Sequence, residues 1–199
     1  MRLDHHEIIL ASESPRRKKL LEEAGFRFVV FPIKVSENLE KNLNLEAQIM
    51  DIAVRKSKVA ENELKHLKSK PFFLITADTM VTIDNEALGK PEDILQAESM
   101  LTRLSGRKHQ VKTAICLYES SMKIRKCAIA TTDVYFRLIS RQEILTYIGS
   151  GEPMDKAGAY AIQGLGAQFV EKYIGDFDNV VGLPIGLLKK MLQENNWEL

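Results

Sequence analysis

Two hydroxyls and two arginines fall within the short run Ser12-Glu13-Ser14-Pro15-Arg16-Arg17, directly after the apolar stretch Ile8-Ile9-Leu10-Ala11. Ser14 is a good helix N-cap and Pro15 a good first helical residue, so free backbone N–H groups and a positive helix end come to lie beside Arg16 and Arg17. Such an arrangement suits a phosphate. A second chemical position is Asp78, in the middle of the strand-like run Phe72 to Ile83. A carboxylate buried in a strand costs several kcal/mol unless cations, metal or hydrogen-bond donors compensate it. Lys56, Lys90, Arg16 and Arg17 supply more positive charge than Asp78 and Glu37 need for balance, and a triphosphate would neutralise the surplus. A phosphoanhydride is attacked in line by water, which requires a positioned phosphate chain, a divalent cation and a base. In that chemistry Asp78 is base or metal ligand, Glu37 a second metal carboxylate, and the cations form a phosphate clamp. Each residue alone has a plainer reading: a capped helix with solvated arginines, a structural Asp bonded to backbone amides, or lysines with their heads in water.

The elements that must hold these groups follow from periodicity and punctuation. A strand at Glu7 to Ala11 leads into a helix from Pro15 to Ala24, ended by Gly25, and a second strand at Phe26 to Phe31. A long helix from Leu45 to His66 carries apolar residues at Leu45, Ile49, Ile52, Val59 and Ala60, and helical spacing turns Lys56 towards that stripe. After the strand that holds Asp78, the Asp84-Asn85 pair turns the chain, and a helix from Pro91 to Leu104 is expected, with Lys90 at its start. Gln110 to Tyr118 and Met122 to Arg137 alternate like a hairpin around Glu119-Ser120-Ser121, while Ser140 and Glu143 form a capping box for a helix ending near Gly149. A Gly-rich polar segment, Glu152 to Gly166, reads as a ligand-shaping loop in which Lys156 suits a phosphate and Gln163 a base edge, with a surface loop as the plain alternative. A short strand at Gln168 to Tyr173 and a helix after Pro184 close the chain. The opening β-α-β unit indicates an α/β or α+β fold.

Composition narrows the function classes. The 199 residues are 45% hydrophobic and 28% charged with a formal net charge of +1, enough for a real core and without the electrostatic footprint of a binder of long nucleic acid. No apolar run reaches membrane-spanning length and the first residues are charged, so a cytoplasmic protein with no membrane partner is expected. Cys116 and Cys127 lie in adjoining strand-like runs without metal-ligand neighbours, which predicts buried free thiols in a reducing compartment. A P-loop ATPase is disfavoured, because no Gly-rich loop ends in Gly-Lys-Ser/Thr.

Five blocks in order carry a family resemblance over nearly the whole chain: Leu10 to Arg17, Ala77-Asp78-Thr79, Gly89-Lys90-Pro91, Lys156 to Gly164, and Asn179-Val180-Val181-Gly182-Leu183-Pro184. In these the chain resembles the Maf nucleoside triphosphate pyrophosphatases, which are related in fold to the inosine triphosphate pyrophosphatases. The resemblance implies an elongated α/β mixed sheet in one domain, residues 1–199, with two lobes around a central cleft, and often a homodimer. It implies cleavage between the α and β phosphates, giving a monophosphate and pyrophosphate with Mg²⁺ or Mn²⁺. By position, Asp78 matches the proton acceptor, and Arg16, Thr79 and Gln163 match positions that set nucleotide preference. Ser12, Arg17, Lys56, Glu37 and Lys90 match phosphate- or metal-binding positions, and Ser14 and Lys156 join the substrate-binding set. The Lys156 to Gly164 block is similar to that of the dTTP and UTP subgroup. Two departures are Glu13, where many relatives have a small residue, and Ser36-Glu37, where many have two acidic residues. The rival readings are a non-catalytic nucleotide-binding regulator of septum formation and a same-fold enzyme for modified purine nucleotides.

Overall fold

The computed structural model describes residues 7–36, 42–67 and 70–197. Among the described residues the chain forms a mixed α/β fold with a seven-stranded sheet. The first elements are β1 (Glu7–Leu10), α1 (Pro15–Glu23), β2 (Val29–Val30), α2 (Leu45–Leu67) and β3 (Phe72–Ile83). They are followed by β4 (Glu86–Leu88), α3 (Ile94–Leu104), β5 (Lys108–Glu119), β6 (Ile124–Phe136) and α4 (Arg141–Gly149). Three short 3-10 turns then lead to β7 (Val170–Ile174), α5 (Phe177–Val181) and α6 (Ile185–Glu194). The strand order is β2-β1-β3-β5-β6-β7, with β4 paired to β3. β1 runs parallel to both β2 and β3, as the intervening helices require, whereas β4 and β7 pair antiparallel.

The chain divides into two compact units. The first comprises residues 1–78, 113–130 and 182–199. Its core joins Ile9, Ala11, Ala60, Leu64, Phe72, Leu74 and Tyr118, with Phe31 and Ile33 packed against them. α2 turns Ile49, Ile52, Ala53, Ser57, Ala60 and Leu64 inward, the spacing expected of a helix with one buried face. α1 ends as its sequence requires: Gly25 takes φ +86°, its N–H donates to the Glu22 carbonyl, and the Phe26 N–H donates to the Leu21 carbonyl.

The second unit comprises residues 79–112 and 131–181. Here α3 buries Ala97, Leu101 and Leu104, and α4 buries Ile144, Tyr147 and Ile148. An aromatic cluster of His109, Phe136, Tyr160, Phe169 and Tyr147 fills its interior, with edge-on contacts such as Phe136–Tyr160 at 4.7 Å between ring centroids. The predicted capping box is present: the Glu143 N–H donates to Ser140 Oγ, and the Ser140 N–H donates to Glu143 Oε2.

Several expectations are corrected. α3 begins at Ile94 and not at Pro91, because Asp93 takes the N-cap and accepts from the Gln96 N–H at 2.7 Å; Lys90 therefore lies on an exposed connection and not at a helix start. The Asp84-Asn85 turn has both residues at positive φ and returns the chain as β4, a strand too short to announce itself by alternation. The second strand shrinks to Val29–Val30, and the strand after Gln168 spans Val170–Ile174. Cys116 and Cys127 are not free thiols: they face each other across β5 and β6 and form a disulfide, with Cα atoms 4.1 Å apart. No described helix is long and apolar enough to cross a membrane.

Candidate active site

In the first unit the β1–α1 connection is built as its sequence predicts. The Ala11 N–H donates to the Ile75 carbonyl of β3 at 2.9 Å, which fixes the loop to the strand that carries Asp78. Ser14 caps α1 and accepts from the Arg17 N–H at 3.4 Å, while Ser12, only 7% exposed, accepts from the Ser14 N–H at 3.2 Å. The Arg17 side chain braces this loop. Its Nε donates to the Gly182 carbonyl at 2.7 Å and its Nη1 to the Ala77 carbonyl at 2.9 Å, with Ser12 Oγ at 3.4 Å. One guanidinium thus ties together the phosphate-type loop, the residue before Asp78 and the Gly182-Leu183-Pro184 turn. A planar fork with five donors can make such divergent bonds, and a lysine cannot. Arg16 is half-exposed and Glu13 exposed.

Asp78 is buried, 8% exposed. Lys56 reaches it from α2, with Nζ donating to Oδ1 at 2.6 Å and both side chains about a tenth exposed, at 12% and 11%. The helix is set against the strand by a neighbouring bond from Thr76 Oγ1 to the Ala53 carbonyl at 3.1 Å. The inward turn of Lys56 expected from helical spacing is present, and its ammonium compensates the carboxylate where water is scarce.

In the second unit, Lys90 and the Lys156 segment are joined through backbone: the Gly158 N–H donates to the Gly89 carbonyl at 3.0 Å. Gly158 has φ +68°, and a Cβ there would meet Val81 at 2.9 Å, so a glycine is required at this crossing. Lys156 pairs with Asp155. Thr79, directly after Asp78, is half-buried, and Gln163 is exposed. The segment read as a Gly-rich polar loop is more ordered than that: it contains 3-10 turns at Glu152–Asp155 and Ala157–Ala159, and Ala159 to Ile162 are buried. Glu37 lies outside the described residues.

Among the described residues no group of three or more His, Cys, Asp or Glu is gathered to hold a metal. Mg²⁺ needs only one or two protein carboxylates when phosphate oxygens and water complete its octahedron, and Asp78 is a hard oxygen donor of that kind. Sequence reasoning missed the bracing bonds of Arg17 and the anchoring role of Glu152, described below. Both depend on partners remote in sequence.

A parallel β-α-β opening with a capped, arginine-bearing helix start, and a buried strand carboxylate held by a lysine on helix α2, describe an α/β protein suited to phosphate chemistry. Residues 7–195 match the family model described as Maf-like protein, and the chain belongs to that family. A dTTP/UTP pyrophosphatase of Bdellovibrio bacteriovorus is 53% identical over 94% of this chain and 97% of its own length. One from Bacillus velezensis is 44% identical over 95% and 96%, respectively. A nucleoside triphosphate pyrophosphatase of Haemophilus ducreyi is 41% identical over 94% and 96%.

Proposed function

We propose that this protein is a nucleoside triphosphate pyrophosphatase that hydrolyses dTTP and UTP to the monophosphate and pyrophosphate. The observation that carries the reading is the Lys56–Asp78 pair, in a family whose similar members bear that activity in their names. A module that only binds triphosphate has no use for a buried carboxylate, which would repel the anion. Hydrolysis needs one, to orient and deprotonate water.

In this reading Asp78 accepts the proton of the attacking water or shares a divalent cation, and Lys56 orients its carboxylate and offsets its charge. Ser12, Ser14 and the amides at the start of α1 present donors to phosphate oxygens, and Arg16 adds charge, while Arg17 keeps the loop in shape through its two carbonyl bonds. Lys90 and Lys156 are cations suited to phosphate oxygens. Arg16, Thr79 and Gln163 set base preference, Gln163 through an amide that can both donate and accept. Asp78, and Glu37 beyond the described residues, would hold Mg²⁺ or Mn²⁺, which when bound neutralises charge on the triphosphate. The protein acts in the cytoplasm as a homodimer.

The test is pyrophosphate release from a panel of natural and modified nucleoside triphosphates with Mg²⁺ and with Mn²⁺. Release from dTTP and UTP is expected, and Asp78→Asn should lower turnover by at least about a hundredfold, the usual scale for losing a general base. Wild-type turnover in Asp78→Asn would remove Asp78 from the chemistry, and no release from any nucleotide would leave a nucleotide-binding regulator.

A further inference from the structure

One carboxylate outside the predicted set organises the segment that bears Gln163. Glu152 is half-buried, and its Oε1 accepts from the Tyr147 hydroxyl at 2.9 Å and from the Gly166 N–H at 3.0 Å. Its Oε2 accepts from the Leu165 N–H at 3.0 Å. The Tyr147 hydroxyl, on a side chain only 2% exposed, in turn accepts from the Ala161 N–H at 3.3 Å. Residues 161–166 are therefore held at both ends: at Ala161 by the phenol and at Leu165 and Gly166 by the carboxylate. Gln163 lies between these anchors and is itself exposed.

The fit is close enough to dictate neighbouring residues. Gly164 has φ +93°, and a Cβ there would fall 2.7 Å from Glu152 Oε2. A Cβ on Gly166 would fall 2.6 Å from the Ala161 carbonyl and 2.8 Å from the Tyr147 hydroxyl. Burial pushes the Glu152 carboxyl up, but the Leu165 and Gly166 amides, the Tyr147 hydroxyl and the Lys156 charge more than reverse that and hold it below its ordinary value. The ionised form is the one that two amides and a phenol can all donate to. Burial and the Glu152 charge push the Tyr147 phenol well above its ordinary value, so it remains a donor.

We infer that Glu152, relayed by Tyr147, is a positioning residue for nucleotide selectivity, fixing residues 161–166 so that the Gln163 amide is presented in one orientation. This rests on the reading of Gln163 as a base contact. Glu152 touches no reacting atom; it acts by removing the alternative conformations from which Gln163 would have to be selected.

The experiment compares Glu152→Gln, Tyr147→Phe and Gln163→Ala. In Glu152→Gln an NH₂ replaces one oxygen and must face a backbone N–H donor, so one anchor is lost while shape is kept. The readouts are the ratio of kcat/KM for dTTP to that for dGTP, and amide hydrogen exchange across residues 161–166. Glu152→Gln should lower the ratio by about tenfold and speed exchange in that segment, which is how loss of one well-placed hydrogen bond reads out. Tyr147→Phe removes only a hydroxyl, so it keeps the test available should the first variant fail to fold, and it should move both readouts the same way by less. A collapsed ratio in Gln163→Ala with an unchanged ratio in Glu152→Gln and Tyr147→Phe would overturn this inference alone. An unchanged ratio in Gln163→Ala would overturn the base-contact reading, and the inference with it.

Discussion

Removing one member of the Lys56–Asp78 pair should cost far more on one side than on the other. At 2.6 Å the attraction between unit charges is about 6 kcal/mol for an effective dielectric constant of about 20, before desolvation is subtracted. Lys56→Met leaves the Asp78 carboxylate buried without its cation, a change that costs about 3–5 kcal/mol. In a chain of 199 residues this lowers Tm by roughly 6–20 °C, at about 2–4 °C per kcal/mol. Asp78→Asn removes the charge but keeps an oxygen that accepts from the ammonium, which is itself able to find water, so about 1–2 kcal/mol is expected. The double variant Lys56→Met/Asp78→Asn has no charge left to strand and should lose only about 2–3 kcal/mol. Urea unfolding of the wild type and the three variants then gives a coupling energy of about 2–4 kcal/mol. Additive costs, to within about 0.5 kcal/mol, would refute the argument, for they would mean that solvent already compensates Asp78 and that Lys56 does not hold it for catalysis.

Two further outcomes test other parts of the structure. Burial pushes the His109 imidazole down to about 4, its Arg107 backbone bond offsetting only part of that. The unfolded chain therefore binds the proton first, near pH 6.5, and stability is lost as pH falls from there through about 4, by about 2–3 kcal/mol. The midpoint of urea unfolding at pH 4.5 relative to pH 7 should fall less in His109→Gln than in the wild type; equal falls would exclude His109 as the cause. The Cys116–Cys127 disulfide closes a loop with a sequence separation of 11, which stabilises the fold by about 3 kcal/mol in the chain-entropy model. The unfolded, unreduced chain should show no reactive thiol, and dithiothreitol should lower Tm by roughly 6–12 °C; titration of two thiols without reductant would show that the bond is not formed.

What was legible in the sequence is what local chemistry decides. The N-cap at Ser14, the stop at Gly25 and the capping box of Ser140 and Glu143 are short-range contests that their own residues settle. Asp78 could be singled out because twelve consecutive strand residues, Phe72–Ile83, leave no place for an uncompensated charge, and Lys56 because helical spacing gives the direction of its side chain. Even the local reading failed where two signals compete. Pro91 is a good first helical residue, but Asp93 offers a cap oxygen two residues later and wins, which moves Lys90 off the helix. The cysteines were placed in adjoining strands but not opposite each other, because pairing register is a property of both strands.

The remaining losses share one cause, and it bears on how the site is built. Arg17 makes its bonds 60 and 165 residues away in sequence, and Glu152 reaches amides 13 and 14 residues on. No periodicity encodes such pairings, since they appear only once the chain has folded. These long-range bonds go to backbone groups, so they require no particular residue type at the partner position and leave no pattern of paired side chains to find. What could be read from the sequence is thus which residues are proposed to meet the nucleotide, and what it concealed is how Arg17 and Glu152 hold the loops in place. In a site assembled this way, chemistry and positioning should fail separately. Loss of Asp78 should lower turnover on every nucleotide, whereas loss of Glu152 should change which nucleotide is preferred.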